Sequence, residues 1–213
     1  MTKKIIGLFG GTFDPVHLGH MYIAEKLLEE LPLDEVRFIP CHQSNLRDPS
    51  IASPQQRLDM LQLAIAGKHK FTVDDWEIKQ ENISYTIDTI KHLKEKMPTA
   101  SLWLIIGADV FVKFKQWHRY RDILNYAHLI IVNRSGYLIR DYVSTHDILI
   151  QKQTLDPELL EQSDHGSIFC QDVEPVDISA TEIRRDITNN AVAEKLPASV
   201  YDYIQSNKLY GIT

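Results

Sequence analysis

The chain contains the stretch IIGLFGGTFDPVHLGH at residues 5–20. Its apolar run at residues 5–9 predicts a buried strand, which two glycines end. From Gly19 onward apolar residues recur with helical spacing until Pro32, so residues 12–18 are predicted to form the loop between this strand and a first helix. In open parallel sheets, ligands bind beyond the carboxyl ends of the strands, at turns of this kind. The stretch therefore predicts both a fold class and the position of a ligand site.

Strands and helices alternate along the rest of the chain. Further strands are predicted at residues 36–40, 71–78, 102–106, 128–132 and 168–170; the second of these is straight or bent, and the last lies at a sheet edge. Helices are predicted to begin at Ser53-Pro54 and to cover residues 85–97, 179–187 and 197–205, with a shorter one near 155–160. This alternation predicts an α/β fold with a doubly wound, mostly parallel, Rossmann-like sheet and a C-terminal helical portion.

The length of the chain favours one domain over two. We expect a single domain over residues 1–213, with 135–167 as an insertion or lid and 179–213 as C-terminal helices packed on the same domain. The composition is that of an ordinary globular chain, since 44% of the residues are hydrophobic and 24% are charged. The formal net charge of -6 argues against a general nucleic-acid binder, which would carry a basic face.

Cysteine usage and apolar runs indicate the compartment. Cys41 and Cys170 are far apart in the sequence, so neither a zinc spacing nor a disulfide framework is predicted. The chain shows neither a signal peptide nor an apolar run long enough to span a membrane. We therefore expect a cytoplasmic protein with no membrane partner.

Two histidines, His17 and His20, lie at the predicted start of the first helix. Their spacing places both imidazoles on one side, where a helix start already favours phosphate. Such donors stabilise charge that develops on a transferring phosphate group, and Gly10 and Gly11 let a ligand approach the backbone. The alternative is that His17 only caps the turn and His20 only packs on the sheet. The stretch is neither a Walker A loop nor a GxGxxG turn, which disfavours a dinucleotide oxidoreductase.

The motif GGTFDPVHLGH resembles the signature of the HxGH nucleotidylyltransferase superfamily, and its wording is similar to that of the bacterial nicotinate mononucleotide adenylyltransferases. The resemblance covers residues 4–210 apart from 135–167. It implies transfer of AMP from ATP to nicotinate mononucleotide, giving deamido-NAD and pyrophosphate in NAD biosynthesis. It also implies that His17 and His20 bind the ATP phosphates and that Mg2+ arrives with the triphosphate, without a metal site of the protein's own.

The sequence ISATEIR at residues 178–184 resembles a second motif of that family, whose serine and arginine reach the ATP phosphates. Arg184 is therefore predicted to join the two histidines as a catalytic residue, because a guanidinium matches developing phosphate charge. Ser179 and Glu182 also have the spacing of a capping box at a helix start. The residues predicted to bind ATP are Gly10, Gly11, Thr12, Phe13, His17, His20, Gly107, Ser179, Thr181 and Arg184.

Several segments resemble the family's acceptor site. Ser84-Tyr85-Thr86 resembles the residues with which the family binds the nicotinate carboxylate at a helix start. Trp117 stands where the family places an aromatic ring against the nicotinate. Asp109 follows the end of a predicted strand, where it is expected to accept hydrogen bonds from ribose hydroxyls, to cap the following turn, or to do both. The family's Pro-Pro-His loop after the second strand is missing, and Arg47 alone remains of it. The residues predicted to bind the mononucleotide are Arg47, Tyr85, Thr86, Asp109, Trp117, Asn133 and Arg134.

Two other functions compete with this interpretation. A sister transferase would use phosphopantetheine or a cytidylyl donor, against which Trp117 and the Ser84-Tyr85-Thr86 segment argue. A non-catalytic nucleotide sensor would keep the fold, and the two histidines with Arg184 argue against that. The sequence leaves open whether the chain forms homo-oligomers and whether it also accepts nicotinamide mononucleotide.

Overall fold

The computed structural model describes residues 3–43, 49–80, 82–133, 147–174, 176–188 and 190–212. Within these ranges seven strands form one sheet in which every pairing is parallel. The strands are β1 (Ile5–Gly11), β2 (Glu35–Pro40), β3 (Phe71–Val73), β4 (Ser101–Gly107), β5 (His128–Val132), β6 (Gln153–Thr154) and β7 (Ile168–Gln171). Their order across the sheet is β3-β2-β1-β4-β5-β7-β6. The predicted α/β class with a parallel sheet is confirmed.

Helices pack on both faces of this sheet. Over the same described ranges they are α1 (Leu18–Glu30), α2 (Pro54–Ile65), α3 (Trp76–Lys79), α4 (Thr86–Lys96), α5 (Ala108–Phe111), α6 (Tyr120–Ile123), α7 (Asp147–Lys152), α8 (Glu158–Glu161), α9 (Ala180–Asp186) and α10 (Ala198–Ser206). Short 3-10 turns lie at Phe114–Gln116, Asn190–Lys195 and Leu209–Gly211.

Successive strand residues point to opposite faces, and this alternation builds two cores. On one face Phe9 and Ile105 pack with side chains of α1, α2, α9 and α10. On the other face Leu8 and Leu104 pack with side chains of α4, α5 and α6. Both faces of the parallel sheet are thus buried, which explains why its strands read as continuous apolar runs in the sequence.

The start of α2 confirms the predicted cap. The Ser53 side chain accepts a hydrogen bond from the Gln56 backbone N–H at 3.2 Å, and the Gln56 side chain accepts one from the Ser53 N–H at 2.9 Å. Pro54 occupies the first helical position, where its missing N–H costs nothing. A capping box of this kind stabilises a helix by about 1 kcal/mol.

The prediction of a strand over residues 71–78 is wrong beyond Val73. The carboxylate of Asp74 accepts a hydrogen bond from the backbone N–H of Trp76 at 3.0 Å, which turns the chain and starts α3. A short side chain that bonds the backbone two residues on favours a turn over an extended ladder. Glu77, which a strand would have placed in the sheet, lies instead on this helical turn.

The prediction of an edge strand at residues 168–170 is also wrong. Strand β7 pairs with β5 on one side and with β6 on the other, so β6 forms the edge. Strand β6 has only two residues, Gln153 and Thr154, and such a short polar strand has no apolar pattern to detect. The short helix predicted near 155–160 begins three residues later, at Glu158, after Pro157.

A buried histidine lies in β5. His128 is fully buried, its Nδ1 accepts a hydrogen bond from the Ser167 N–H at 3.3 Å, and its Nε2 lies 3.3 Å from the Ser163 carbonyl oxygen. Acceptance at Nδ1 leaves the neutral ring's proton on Nε2, where it donates to Ser163. Burial lowers the pKa of His128 below its usual 6.5, so the folded protein holds the neutral ring.

We predict a loss of stability in mild acid that depends on this ring. Below pH 6.5 His128 takes up a proton in the unfolded chain, whereas in the folded chain it resists protonation. The contribution of the neutral ring to the free energy of unfolding is therefore complete above pH 6.5, and it is lost as the pH falls toward the lowered pKa of the folded state. One such group contributes a slope of at most about 1.4 kcal/mol per pH unit. Denaturant unfolding at several pH values should show a shallower slope for His128→Asn than for the parent chain.

The surface residue His69 supplies the control for that series. The variant His69→Asn should keep the parent slope, because its ring is exposed in both states. Equal slopes for His128→Asn and the parent chain would show that His128 does not resist protonation in the folded state.

Candidate active site

A cavity of about 620 Å³ opens at the carboxyl ends of the central strands. The chain passes from β1 outward to β2 and β3, and then returns to place β4 on the other side of β1. The connections on the two sides of this point diverge, which leaves a crevice between the ends of β1 and β4. Gly11 at the end of β1, Gly107 at the end of β4 and Val132 at the end of β5 line the cavity.

His17 and His20 stand at the start of α1, on the wall of this cavity. His17 holds the N-cap position with extended backbone, and its N–H lies 3.3 Å from Nδ1 of His20, which accepts that hydrogen bond. The two rings stack with centroids 3.7 Å apart. Because Nδ1 of His20 is the acceptor, the neutral ring carries its proton on Nε2. His17 therefore does occupy the cap position, and it also orients its partner.

The carboxylate of Asp14, in the loop between β1 and α1, is nearly fully buried at 5% exposure. It accepts hydrogen bonds from the backbone N–H groups of Ile51 and Ala52 at 2.8 and 3.1 Å. The Tyr210 hydroxyl donates to it at 2.7 Å. Its backbone carbonyl accepts from Nη1 of Arg184, also at 2.7 Å. One residue thus joins the loop to the segment before α2, to α9 and to the turn at 209–211.

Arg184 is held beside the histidines by this contact. Its second nitrogen, Nη2, lies 3.4 Å from the hydroxyl of Thr181. The starts of α1 and α9 also lie close together, because a Cβ at Gly19 would be 3.1 Å from Nδ1 of His17 and 3.5 Å from Cβ of Ile178. The added Cβ would crowd the His17 ring, whereas its contact with Ile178 would be an ordinary van der Waals one. Arg184 and the two histidines therefore border one cavity.

The predicted capping box at α9 does not form. Ser179 does hold the N-cap position with extended backbone, but its side chain makes no capping hydrogen bond. The side chain of Glu182 is instead 3.9 Å from the ammonium of Lys195. The Ser179 hydroxyl is therefore not used by the helix, and it lies on the cavity wall.

The other half of the cavity is bordered by the start of α4 and the turns after β4. Tyr85, rather than Ser84, takes the N-cap position of α4. The Ser84 hydroxyl accepts from the His42 N–H at 3.0 Å, which ties this segment to the loop after β2. The Tyr85 ring lies 4.6 Å from the ring of His118, and Trp117 packs half-buried against the core. Tyr85, Trp117 and His118 thus give this side of the cavity an aromatic lining.

The structure brings together every predicted site residue that it describes. Those lining the cavity are Gly10, Gly11, Thr12, Phe13, His17, His20, Tyr85, Thr86, Gly107, Asp109, Trp117, Asn133, Ser179, Thr181 and Arg184. The Asn133 amide also donates to the Asp172 carboxylate at 2.6 Å. Arg47 and Arg134 lie outside the described residues, so their predicted contacts stay predictions.

Sequence reasoning missed Glu77 as a cavity residue. Its carboxyl is 8% exposed and accepts from the Thr89 hydroxyl at 2.5 Å. Burial raises the pKa of Glu77, and the hydrogen bonds from Thr89 and Ser84 partly oppose that shift. Because residues 71–78 were predicted to form a strand, the position of Glu77 on a helical turn next to α4 was not expected. Lys113 and His118 also line the cavity and were not singled out.

Arg57 holds two loops that border the cavity, although its own side chain does not line the cavity. Its fully buried guanidinium donates to the Thr12 carbonyl at 2.6 Å, and to the carbonyls of Cys41 and His42 at 2.7 and 2.9 Å. These carbonyls belong to the loops that follow β1 and β2. These contacts give Arg57 a structural role, because they hold the two loops in place.

Comparison with known proteins places the chain in a family. Residues 8–186 match the model of the cytidylyltransferase-like family. A protein of Coxiella burnetii (strain RSA 331) named "Probable nicotinate-nucleotide adenylyltransferase" is 43% identical over 97% of this chain and 98% of its own. One of the same name from Dechloromonas aromatica is 39% identical, over 96% and 97%.

Among solved structures, nicotinic acid mononucleotide adenylyltransferase of Plasmodium falciparum, complexed with NaAD, aligns over 99% of this chain and 98% of its own. Its TM-score is 0.76 at 20% identity, which shows that the fold is shared. In the part of the chain that the structure describes, no helix is both long and apolar enough to cross a membrane. The chain belongs to the cytidylyltransferase-like family, among relatives that bear the name nicotinate-nucleotide adenylyltransferase.

Proposed function

We propose that this protein transfers AMP from ATP to nicotinate mononucleotide, giving nicotinate adenine dinucleotide and pyrophosphate in NAD biosynthesis. The observation that carries the proposal is the His20 ring, whose Nδ1 is taken by the His17 backbone while the ring borders a cavity shared with Arg184. The names of the relatives at 43% and 39% identity support the same reaction.

The reaction needs no nucleophile from the protein. A phosphate oxygen of the mononucleotide attacks the α-phosphorus of ATP in line and forms the new P–O bond. The bond from that phosphorus to the bridging oxygen breaks, and pyrophosphate leaves with the electron pair. The task of the protein is to position both phosphates and to stabilise the charge that builds between them.

Three side chains fit that task. The Nε2–H of His20 is a neutral donor fixed in direction by the bond at Nδ1. Arg184 brings a permanent charge, and its Nη1 contact with Asp14 limits how its guanidinium can turn. His17 is 4% exposed and stacks on His20, which restricts both rings. Donors held before the reaction begins cost little reorganisation when charge develops.

We assign the aromatic side of the cavity to the nicotinate ring. Trp117 offers a flat face for stacking, and the start of α4 at Thr86 offers the backbone N–H groups of a helix N-terminus to an anionic carboxylate. Asp109, in the first turn of α5, is suited to accept hydrogen bonds from ribose hydroxyls. A phosphopantetheine arm has no flat anionic group that would use these features.

Magnesium enters with ATP as part of the substrate in this proposal. Mg2+ prefers oxygen ligands and usually bridges phosphates in sites of this class. Across the described ranges, no group of three or more His, Cys, Asp or Glu side chains could hold a metal ion. In this proposal the phosphate oxygens of ATP supply ligands to the ion. We place the reaction in the reducing cytoplasm, which suits a chain whose two cysteines, Cys41 and Cys170, are far apart in the sequence.

Pyrophosphate release from ATP and Mg2+ tests the proposal, with nicotinate mononucleotide, nicotinamide mononucleotide and phosphopantetheine offered separately. Release with nicotinate mononucleotide at the highest kcat/KM is expected. Release only with another acceptor would keep the nucleotidyl chemistry and overturn the assignment of the ring side. No release with any acceptor would favour a nucleotide sensor.

The variant His20→Ala should lower kcat by about a hundredfold or more, because it removes an oriented donor to the transferring phosphate. Its fold should be retained, since His20 is only half-buried. Steady-state kinetics and thermal unfolding check the two parts. The exposed His69→Ala is the control and should match the parent in both. Near-normal turnover by His20→Ala would remove His20 from the mechanism.

Substitutions at two glycines of β1, Gly7 and Gly10, distinguish an effect on ligand binding from an effect on core packing. A Cβ at Gly10 would meet nothing within 4 Å and would extend into the cavity, whereas a Cβ at Gly7 would lie 2.9 Å from Cδ1 of Ile105. Gly10→Ala should therefore weaken ATP binding by about tenfold while leaving stability intact. Gly7→Ala should cost about 1–3 kcal/mol of stability through overpacking and leave ATP affinity unchanged.

Calorimetric titration with ATP and denaturant unfolding would measure the two effects of this glycine pair. Parent-like ATP affinity in Gly10→Ala would mean that the nucleotide does not approach the end of β1.

A further inference from the structure

The turn Leu209–Gly211 lies far along the chain from the catalytic loop but touches it. Tyr210 has φ 59° and Lys208 has φ 51°, both in the left-handed region that side-chain-bearing residues rarely adopt. This backbone directs the Tyr210 hydroxyl to Oδ1 of Asp14, to which it donates at 2.7 Å. Residues held in such conformations persist when surrounding contacts fix them.

In its contact with Asp14 the Tyr210 hydroxyl is a donor that stays protonated. Tyr210 is half-buried, and burial, followed by the Asp14 carboxylate, raises the pKa of its hydroxyl, so that it remains protonated. On the opposite side, Phe13, which precedes Asp14, also has a left-handed backbone with φ 52°. Strained residues therefore stand on both sides of one hydrogen bond.

We propose that Tyr210 is a positioning residue for nucleotidyl transfer, which acts through Asp14 on His17 and Arg184. The step to Arg184 is direct, because the backbone carbonyl of Asp14 accepts the bond from its Nη1. The step to His17 runs through the short loop that leads from Asp14 into α1. This inference rests on the proposed function for its kinetic part only.

The chain supplies a matched control in Tyr203. Its hydroxyl donates to Oδ2 of Asp59 at 2.8 Å, and this bond ties α10 to α2. The donor type, the acceptor type and the length match those of the Tyr210 contact, yet neither Tyr203 nor Asp59 lines the cavity. A general loss of stability should therefore appear in both phenylalanine variants, and a loss of positioning in only one.

The kinetic test compares Tyr210→Phe with Tyr203→Phe in the full chain, well below the unfolding temperature of each. Tyr210→Phe should lower kcat by about tenfold, because a loosened loop misplaces the phosphate donors. Its KM for the mononucleotide should change by less than about twofold, since the aromatic side is untouched. Tyr203→Phe should keep both constants. Parent-like kcat in Tyr210→Phe, or equal losses in the two variants, would overturn the inference.

A second measurement needs no substrate and so separates this inference from the proposed function. The Ala52 N–H bonds the same oxygen of Asp14 as Tyr210 does, at 3.1 Å. Amide hydrogen exchange followed by NMR should show Ala52 exchanging at least about tenfold faster in Tyr210→Phe, and unchanged in Tyr203→Phe. If the parent chain shows no transferase activity, the proposed function fails, and this exchange comparison alone decides whether Tyr210 holds the loop. An unchanged Ala52 rate in Tyr210→Phe would refute it.

Discussion

The geometry of the site depends on the buried carboxylate of Asp14. A carboxylate taken out of water is costly unless its oxygens are matched by donors, and here two backbone N–H groups and one hydroxyl match them. The donors come from the segment before α2 and from the turn at 209–211. A different arrangement of the loop after β1 would leave the buried carboxylate without these donors, so the contacts favour the observed arrangement. Arg184 is then placed by the carbonyl of the same residue.

Arg57 performs the complementary task with the opposite charge. Its fully buried guanidinium satisfies three main-chain carbonyls of two loops, so that the ends of β1 and β2 are held at a fixed separation. The planar fork suits this task, because Nη1 reaches the loop after β1 and Nη2 reaches the loop after β2. Asp14 and Arg57 together hold the loops that surround the cavity. Asp14 does so from the cavity wall, and Arg57 does so from outside it.

The parts of the fold that follow from periodicity were predictable. Strand β1, helix α1 and strand β5 carry long apolar patterns with clear end signals, and the structure has them within a few residues of the prediction. Strand β6 was not predictable, because two polar residues acquire extended structure only by pairing with β7. Residues 71–78 misled because the Asp74 side chain ends the strand by a local bond that hydrophobic patterning does not register.

The site shows the same division. The HxGH and ISATEIR stretches are recognisable from their local spacing, and residues of both line one cavity. Glu77 and Tyr210 give no such signal. Their roles arise from contacts with Thr89 and Asp14, at sequence separations of 12 and 196 residues. Contacts at such distances depend on the assembled sheet, and one sequence does not reveal them.

The most direct test of the account is a crystal structure of the chain with a non-hydrolysable ATP analogue and nicotinate mononucleotide. The account predicts the triphosphate between His20 and Arg184, with the Asp14 contacts unchanged and the nicotinate ring on Trp117. A triphosphate bound away from the two histidines, or an Asp14 carboxylate released from Ile51 and Ala52 on binding, would contradict it.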